Sequence, residues 1–359
     1  MQKGLLLIAA LAASQLAFPA AASPSAKAVA TIQARAQAAG FDGAILIGEK
    51  DGSSRTITLG PDAVAPDAIW RWASITKQLA ATLVMQEVAS GTLDLDAPVS
   101  RYWPDWKAPN AGTIRIRDLL LHNSGLPQPD ESAPDADGVP GFYRAEAASP
   151  RDSAAGICAG PTRAAPPAPY EYNNCDSIVL AEVLRRVTGR SFDELATERF
   201  GRALGMTHFG LFRFGEAPQP HVRPTGEFKD LDPLIDMGVY GASGGAWGTI
   251  GDLWRFDHAL LDGKLLPAKE RERMWQSERK NGFYGFHQWI FPSKLKGCGR
   301  EMRVVERQGL IGGIELRNYL LPETGQALIL FSRHRPSNYG DPWKGQGLAF
   351  DLLSAMACP

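Results

Sequence analysis

The chain has 359 residues, of which 44% are hydrophobic and 21% charged, and its formal net charge is −1. A near-neutral chain with no basic block offers no footprint for nucleic acid, and no repeat of roughly 20 to 50 residues suggests a solenoid or propeller. The length is enough to bury a large core, as one big domain or two intimate lobes.

Residues 1–22 read as a processing segment. Lys3 gives a positive start, residues 5–11 an apolar run, and Ala20-Ala21-Ala22 a small-residue cleavage site. The run is too short and too Ala-rich to span a bilayer. Cleavage near Ala22 would leave 337 residues (359 minus 22) and, with Lys3 gone, a net charge of −2. The mature protein is then expected to be periplasmic or secreted, with no membrane span.

Residues 26–40 are Ala-rich and helical in pattern, ending at Gly40. "GAILIGEK", Asp51-Gly52 and "SSRTITLG" read as strand, turn and strand. "RWASITKQLAATLVMQEVASG" predicts a helix with Ser74 as N-cap, Leu79, Leu83, Val84 and Val88 on one face, and Gly91 as the stop. "IRIRDLLLHNSGL" is a short helix and a turn. Residues 127–169, rich in Pro, Ala, Asp and Gly, read as a long surface loop. "DSIVLAEVLRRVTG" and "SFDELATERFGRALG" are helices, the second opened by a Ser191/Glu194 capping box. Thr249 and Asp252 open another, which Asp262-Gly263 stops. The last hundred or so residues turn strand-like, in "YGFHQWIF", "MRVVERQG", "IELRNYLL" and "QALILFSRH", before the helix "GQGLAFDLLSAMA". Strands at both chain ends with helices between predict an α+β protein: one sheet built from both termini and a helical insertion.

Chemistry is sought first at Ser74 and Lys77. Three positions apart at a helix start, they share a face, so the amine can reach the hydroxyl. A serine needs a base to become a nucleophile, and a helix N-terminus supplies N–H groups for an oxyanion. A capping serine beside a solvated lysine has the same spacing, and Ser277 with Lys280 repeats it in a charged stretch. Tyr172-Asn173-Asn174 is the only Tyr-x-Asn in the chain. It offers a phenol for proton traffic and an amide for a carbonyl, or else simply a turn before a helix. Gly241-Ala242-Ser243-Gly244-Gly245 fits a nucleophile elbow, but no buried strand precedes it and the next helix starts only near Ile250. A Gly-rich loop bordering a cleft is the plainer reading. Six scattered histidines without His-x-x-x-His spacing argue against zinc, and neither metal nor cofactor is expected.

Taken together, "FDGAILIGEKDG", "WRWASITKQLAATLVMQEVASGTLDLDAPVSRYWPDW", "IRIRDLLLHNSGLP", "YEYNNCDSIVLAEVLRRVTG", "LGMTHFG", "GGAWGTIGDLWRFDHALLDGKLL" and "LLPETG" resemble the serine hydrolase family of class C β-lactamases, D-alanyl-D-alanine carboxypeptidases and related esterases. Their order and spacing follow the family along nearly the whole mature chain. The resemblance implies a β-lactamase/transpeptidase-like fold, with a sheet lobe at about 23–70 and 245–359 and a helical lobe at about 71–244. It implies Ser74 as nucleophile, Lys77 as its proton acceptor, Tyr172 as second base, Asn174 as substrate-side amide, and the N–H groups of Ser74 and Leu310 as oxyanion hole. The third motif departs from the family's Lys or His, Thr or Ser, Gly: it reads Arg307-Gln308-Gly309. Arginine cannot shuttle a proton near neutral pH but can grip a carboxylate with two prongs, and Gln308 removes a hydroxyl that would assist.

Two functions follow. The first is an exported serine hydrolase acting through a Ser74 acyl-enzyme on an amide, peptide or ester in a small molecule or peptide. The second is a binding protein on the same scaffold, with turnover lost through the altered motif.

Four cysteines allow three pairings, or four free thiols. Three strands run up, down and up after Cys298, and a helix of about 20 Å returns to Cys358. Cys158 and Cys175 bracket a 16-residue loop leading into the Tyr172 motif. The expected bridges are Cys158–Cys175 and Cys298–Cys358.

Overall fold

A computed structural model describes residues 24–144, 149–216, 220–225, 235–277, 282–334 and 339–358. The expected leader at 1–22 and Lys280 of the second Ser-x-x-Lys lie outside the described residues.

Helix α1 (Ala26–Ala38) leads into the hairpin β1 (Gly43–Gly48) and β2 (Ser54–Leu59). A short β3 (Trp70–Arg71) precedes α2 (Thr76–Ala89). Helices α3 (Val99–Tyr102), α4 (Ile116–Leu120), α5 (Pro150–Ala155), α6 (Asn174–Thr188) and α7 (Phe192–Ala196) follow. Then come β4 (Gly210–Leu211), β5 (Ala246–Gly248), α8 (Ile250–Leu261) and α9 (Ala268–Met274). Strands β6 (Trp289–Ser293), β7 (Met302–Ile311), β8 (Ile314–Leu321), β9 (Gln326–Ser332) and helix α10 (Leu348–Ala357) end the chain.

Strands from both chain ends form one antiparallel six-stranded sheet, ordered β2-β1-β9-β8-β7-β6. "GAILIG" is buried along its whole length because both faces of β1 are covered. Ile45 and Ile47 pack in one core with Ile32 of α1 and Leu352 and Leu353 of α10, while Ala44 and Leu46 alternate into the larger core on the other face. The capping boxes at Ser191/Glu194 and Thr249/Asp252 form as the sequence indicates. The first opens only a five-residue helix, which passes into a π-helical turn at Thr197–Arg202.

Two expectations change. Within 127–169 the loop carries α5, started by Ser149, whose side chain accepts from the Asp152 N–H, and by Pro150 at the first helical position. Helix α2 buries far more than one face: all residues from Thr76 to Met85 are buried. It runs through the middle of the molecule, so its polar residues are hydrogen-bonded internally. Gln78 donates to Asp257 of α8 and Thr82 donates to the Gln78 carbonyl. Both expected disulfides form, Cys158–Cys175 and Cys298–Cys358, each with Cα atoms 5.4 Å apart. No described helix is long and apolar enough to cross a membrane.

Candidate active site

Ser74 does not cap a helix. It lies within a 3-10 turn, Ala73–Ile75, and α2 begins only at Thr76. Ala73 holds φ +47, a left-handed conformation that a β-carbon disfavours, so the turn is strained at the residue before the serine. The surroundings hold it there. The Trp72 N–H donates to the Ala246 carbonyl at 2.8 Å. The Thr76 hydroxyl donates to the Ala73 carbonyl at 2.6 Å and accepts from the Ala246 N–H at 3.0 Å. On the opposite side β7 comes so close that a β-carbon on Gly309 would lie 2.6 Å from the Trp72 carbonyl oxygen. Glycine is required there for the strand to approach the turn.

The Ser74 hydroxyl is 2.6 Å from the Tyr172 hydroxyl, and the Lys77 ammonium donates to it at 3.3 Å. Lys77 is fully buried and also donates to Asn174 Oδ1 and the Ser243 carbonyl, both at 2.6 Å. Its Nζ stands 4.7 Å from the centre of the Tyr172 ring. Tyr172 and Asn174 are positioned by the start of α6. Asn173, not Asn174, is the N-cap, with Oδ1 accepting from the Cys175 N–H, which leaves Asn174 as the first helical residue. Lys77 fixes the orientation of the Asn174 amide by holding its carbonyl oxygen.

Arg307 is buried and does not offer the two-pronged grip expected of it. Its Nε donates to the Ser74 carbonyl at 2.7 Å, and its Nη1 to the Tyr284 hydroxyl at 3.1 Å and the His287 carbonyl at 3.0 Å. Its Nη2 donates to the Tyr172 hydroxyl at 2.9 Å. Four of the five N–H groups of a guanidinium are thereby engaged by the protein, which leaves too few for a bidentate contact. Burial raises the cost of a Tyr172 phenolate, but Lys77 and Arg307 outweigh it, and the hydroxyl lies below its ordinary range.

Behind Tyr172, His122 Nδ1 lies 2.6 Å from an Asp176 oxygen, and Ser124 donates to the other oxygen. Burial pushes the His122 imidazole down and the Asp176 carboxyl up. Lys77 and Arg307 are the cations that favour the Tyr172 phenolate. Sequence reasoning missed His122, Asp176, Tyr284 and His287; no shared spacing links segments that meet only in the fold. Ser243, the elbow candidate, is fully buried and donates to the Tyr240 carbonyl at 2.7 Å, while its own carbonyl holds Lys77.

Ser74, Tyr172, Asn174, Arg307, Gln308 and Leu310 line one cleft of about 320 Å³. Trp289 and the stacked pair Tyr143 and Tyr240, with ring centres 5.0 Å apart, complete its walls. Leu310 is 42% exposed at its edge.

An antiparallel sheet drawn from both chain ends, covered by helices and bearing this cleft, defines the β-lactamase/transpeptidase-like fold class. The Beta-lactamase family model matches residues 28–336, and the chain belongs to that family. PbpX of Bacillus subtilis (strain 168), which carries a penicillin-binding-protein name, is 27% identical over 271 residues, 72% of this chain and 60% of that protein. The D-alanyl-D-alanine-carboxypeptidase/endopeptidase AmpH of Escherichia coli (strain K12) is 26% identical over 58% of this chain and 53% of its own length. The chain therefore spans little more than half the length of these relatives. Among solved structures, the D-amino acid amidase of Ochrobactrum anthropi SV3 complexed with L-phenylalanine amide superposes with a TM-score of 0.73 at 21% identity, covering 91% of this chain and 98% of the amidase. The likeness is one of fold.

Proposed function

We propose that the chain is an exported serine hydrolase that cleaves an amide, peptide or ester bond through an acyl-enzyme on Ser74. The observation that carries this reading is the 2.6 Å contact between the Ser74 and Tyr172 hydroxyls, with Lys77 and Arg307 favouring the phenolate. Three oxygen atoms surround the Lys77 Nζ within 3.3 Å, and an ammonium can donate to all three. Lys77 is thus read as a fixed cation, and the role of proton acceptor passes from Lys77 to Tyr172.

In the first half-reaction Tyr172 takes the Ser74 proton as Oγ bonds to the substrate carbonyl carbon. The N–H groups of Ser74 and Leu310 receive the oxyanion, and the Asn174 amide positions the substrate. Collapse breaks the bond to the leaving amine or alcohol, which takes the proton from Tyr172. In the second half-reaction water adds to the acyl carbon, its proton passes through Tyr172 to Ser74, and the acid departs.

Export rests on the pattern of residues 1–22 together with the two disulfides, which suit an oxidising compartment. The names of relatives include a carboxypeptidase/endopeptidase and an amidase as well as esterases, which supports all three bond types. The test is labelling by a fluorescent fluorophosphonate. Ser74→Ala is expected to abolish it and Ser243→Ala to retain it; labelling that survives Ser74→Ala overturns the reading. Labelling without turnover of any ester, amide or peptide would favour the binding protein instead.

A further inference from the structure

The end of the cleft beside the third motif keeps few side-chain donors for a negatively charged substrate. Arg307 gives four of its N–H groups to Ser74, Tyr284, His287 and Tyr172. The neighbouring cleft residue, Gln308, is oriented by a buried carboxylate. Its Nε2 donates to Glu306 Oε1 at 2.8 Å, and Arg317 Nη1 reaches the same oxygen at 2.8 Å. Glu306 is 1% exposed, and Arg317 fixes its carboxylate. A carboxylate only accepts, so the amide of Gln308 must turn its nitrogen inward. Its Oε1 then accepts from no donor among the described residues, and it stands there with the one N–H that Glu306 does not take.

We infer that Gln308 selects substrates by charge: the group placed against it is uncharged and carries an N–H donor, as a carboxamide does, and carboxylates are disfavoured. The inference deepens the proposed hydrolase and rests on that reading. A carboxylate at this position would face an acceptor oxygen with Glu306 behind it. Two acceptors opposed without a proton repel, whereas an amide N–H completes the bond.

The test uses two thioesters of N-benzoylglycine that differ in one group of the leaving thiol: mercaptoacetate in one and mercaptoacetamide in the other. The full chain is assayed for released thiol. The carboxamide is expected to lead in kcat/KM by at least about tenfold. Gln308→Leu, which keeps the bulk and removes the acceptor, is expected to lose about tenfold on the carboxamide and little on the carboxylate. A carboxylate hydrolysed as fast or faster overturns the inference, as does an equal loss on both substrates in Gln308→Leu. Fluorophosphonate labelling of Ser74 without turnover of the carboxamide overturns it alone. Labelling that does not depend on Ser74 removes the hydrolase reading, and the inference with it.

Discussion

The Arg307 guanidinium donates to the hydroxyl of Tyr172 and to the carbonyl of Ser74, so its charge acts on the phenol proposed to receive the proton. The proposed mechanism therefore predicts a definite pH dependence. In it Tyr172 must be ionised to accept the Ser74 proton, so the rate is expected to rise as pH passes through its pKa. Burial pushes that pKa up, and Lys77 and Arg307 bring it below the ordinary tyrosine value. Arg307→Gln removes one of those cations, and the acid limb of kcat/KM is expected to move to higher pH. At neutral pH the loss should be about ten- to a hundredfold, the scale of one charge-assisted hydrogen bond. Raising the pH should recover part of it, and Arg307→Lys should move the limb less. A pH profile that Arg307→Gln leaves in place would reduce the residue to a packing role. Ser74 and Lys77 were legible in the sequence because three residues of chain bring them together. The role of Arg307 was not: its partners come from positions 74, 172, 284 and 287, and only the fold reveals that they consume its donors.

At the scale of elements, α2, α8 and β8 meet around a buried carboxylate. Asp257 of α8 accepts from Gln78 of α2 and Asn318 of β8, both at 3.0 Å and both on Oδ1. Two neutral donors do not offset burial, and the carboxyl is pushed up to about 8. The folded state therefore holds a proton that the unfolded chain releases near pH 4. Between about pH 4 and about pH 8 the unfolded state binds fewer protons, so stability falls as pH rises, by up to about 1.4 kcal/mol per unit. Above that window the penalty is constant. Asp257→Asn keeps the accepting oxygen and removes the charge. Urea unfolding of the variant is expected to show a flatter pH dependence, with greater stability than the original protein at pH 8. An unchanged slope would show that Asp257 is not the group responsible. Periodicity located α8 and its cap but could not show this cluster. Leu79, Leu83, Val84 and Val88 suggested a helix with one buried face, whereas α2 is enclosed on nearly every side. Gln78 and Thr82 resemble solvent-facing residues in a sequence, and only the layers around the helix make them interior ones.

Across the whole molecule the two disulfides are expected to divide stability from activity. Cys298–Cys358 ties the chain just before β7 to the end of α10 across a separation of 60 residues, and neither cysteine adjoins a residue of the cleft in sequence. Cys158–Cys175 closes only 17, but Cys175 stands in the first turn of α6, beside Asn174 and three residues from Tyr172. In the chain-entropy account the longer loop stabilises by about 4 kcal/mol and the shorter by about 3 kcal/mol. The effects on catalysis should run in the opposite order. Cys298→Ala with Cys358→Ala is expected to lower the urea midpoint while kcat/KM in the folded protein stays close to that of the parent. Cys158→Ala with Cys175→Ala is expected to lower kcat/KM under conditions where circular dichroism still reports a folded chain. The phenol must stay within hydrogen-bond reach of Ser74, and the segment carrying it loses a tether to the 127–169 region. Equal kinetic losses in both double variants would mean that global stability, not local restraint, governs the site. Full activity in the folded Cys158→Ala, Cys175→Ala protein would mean that Asn173, through its cap on α6 and its Nδ2 bond to the Leu126 carbonyl at 2.8 Å, positions Tyr172 without help from the bridge.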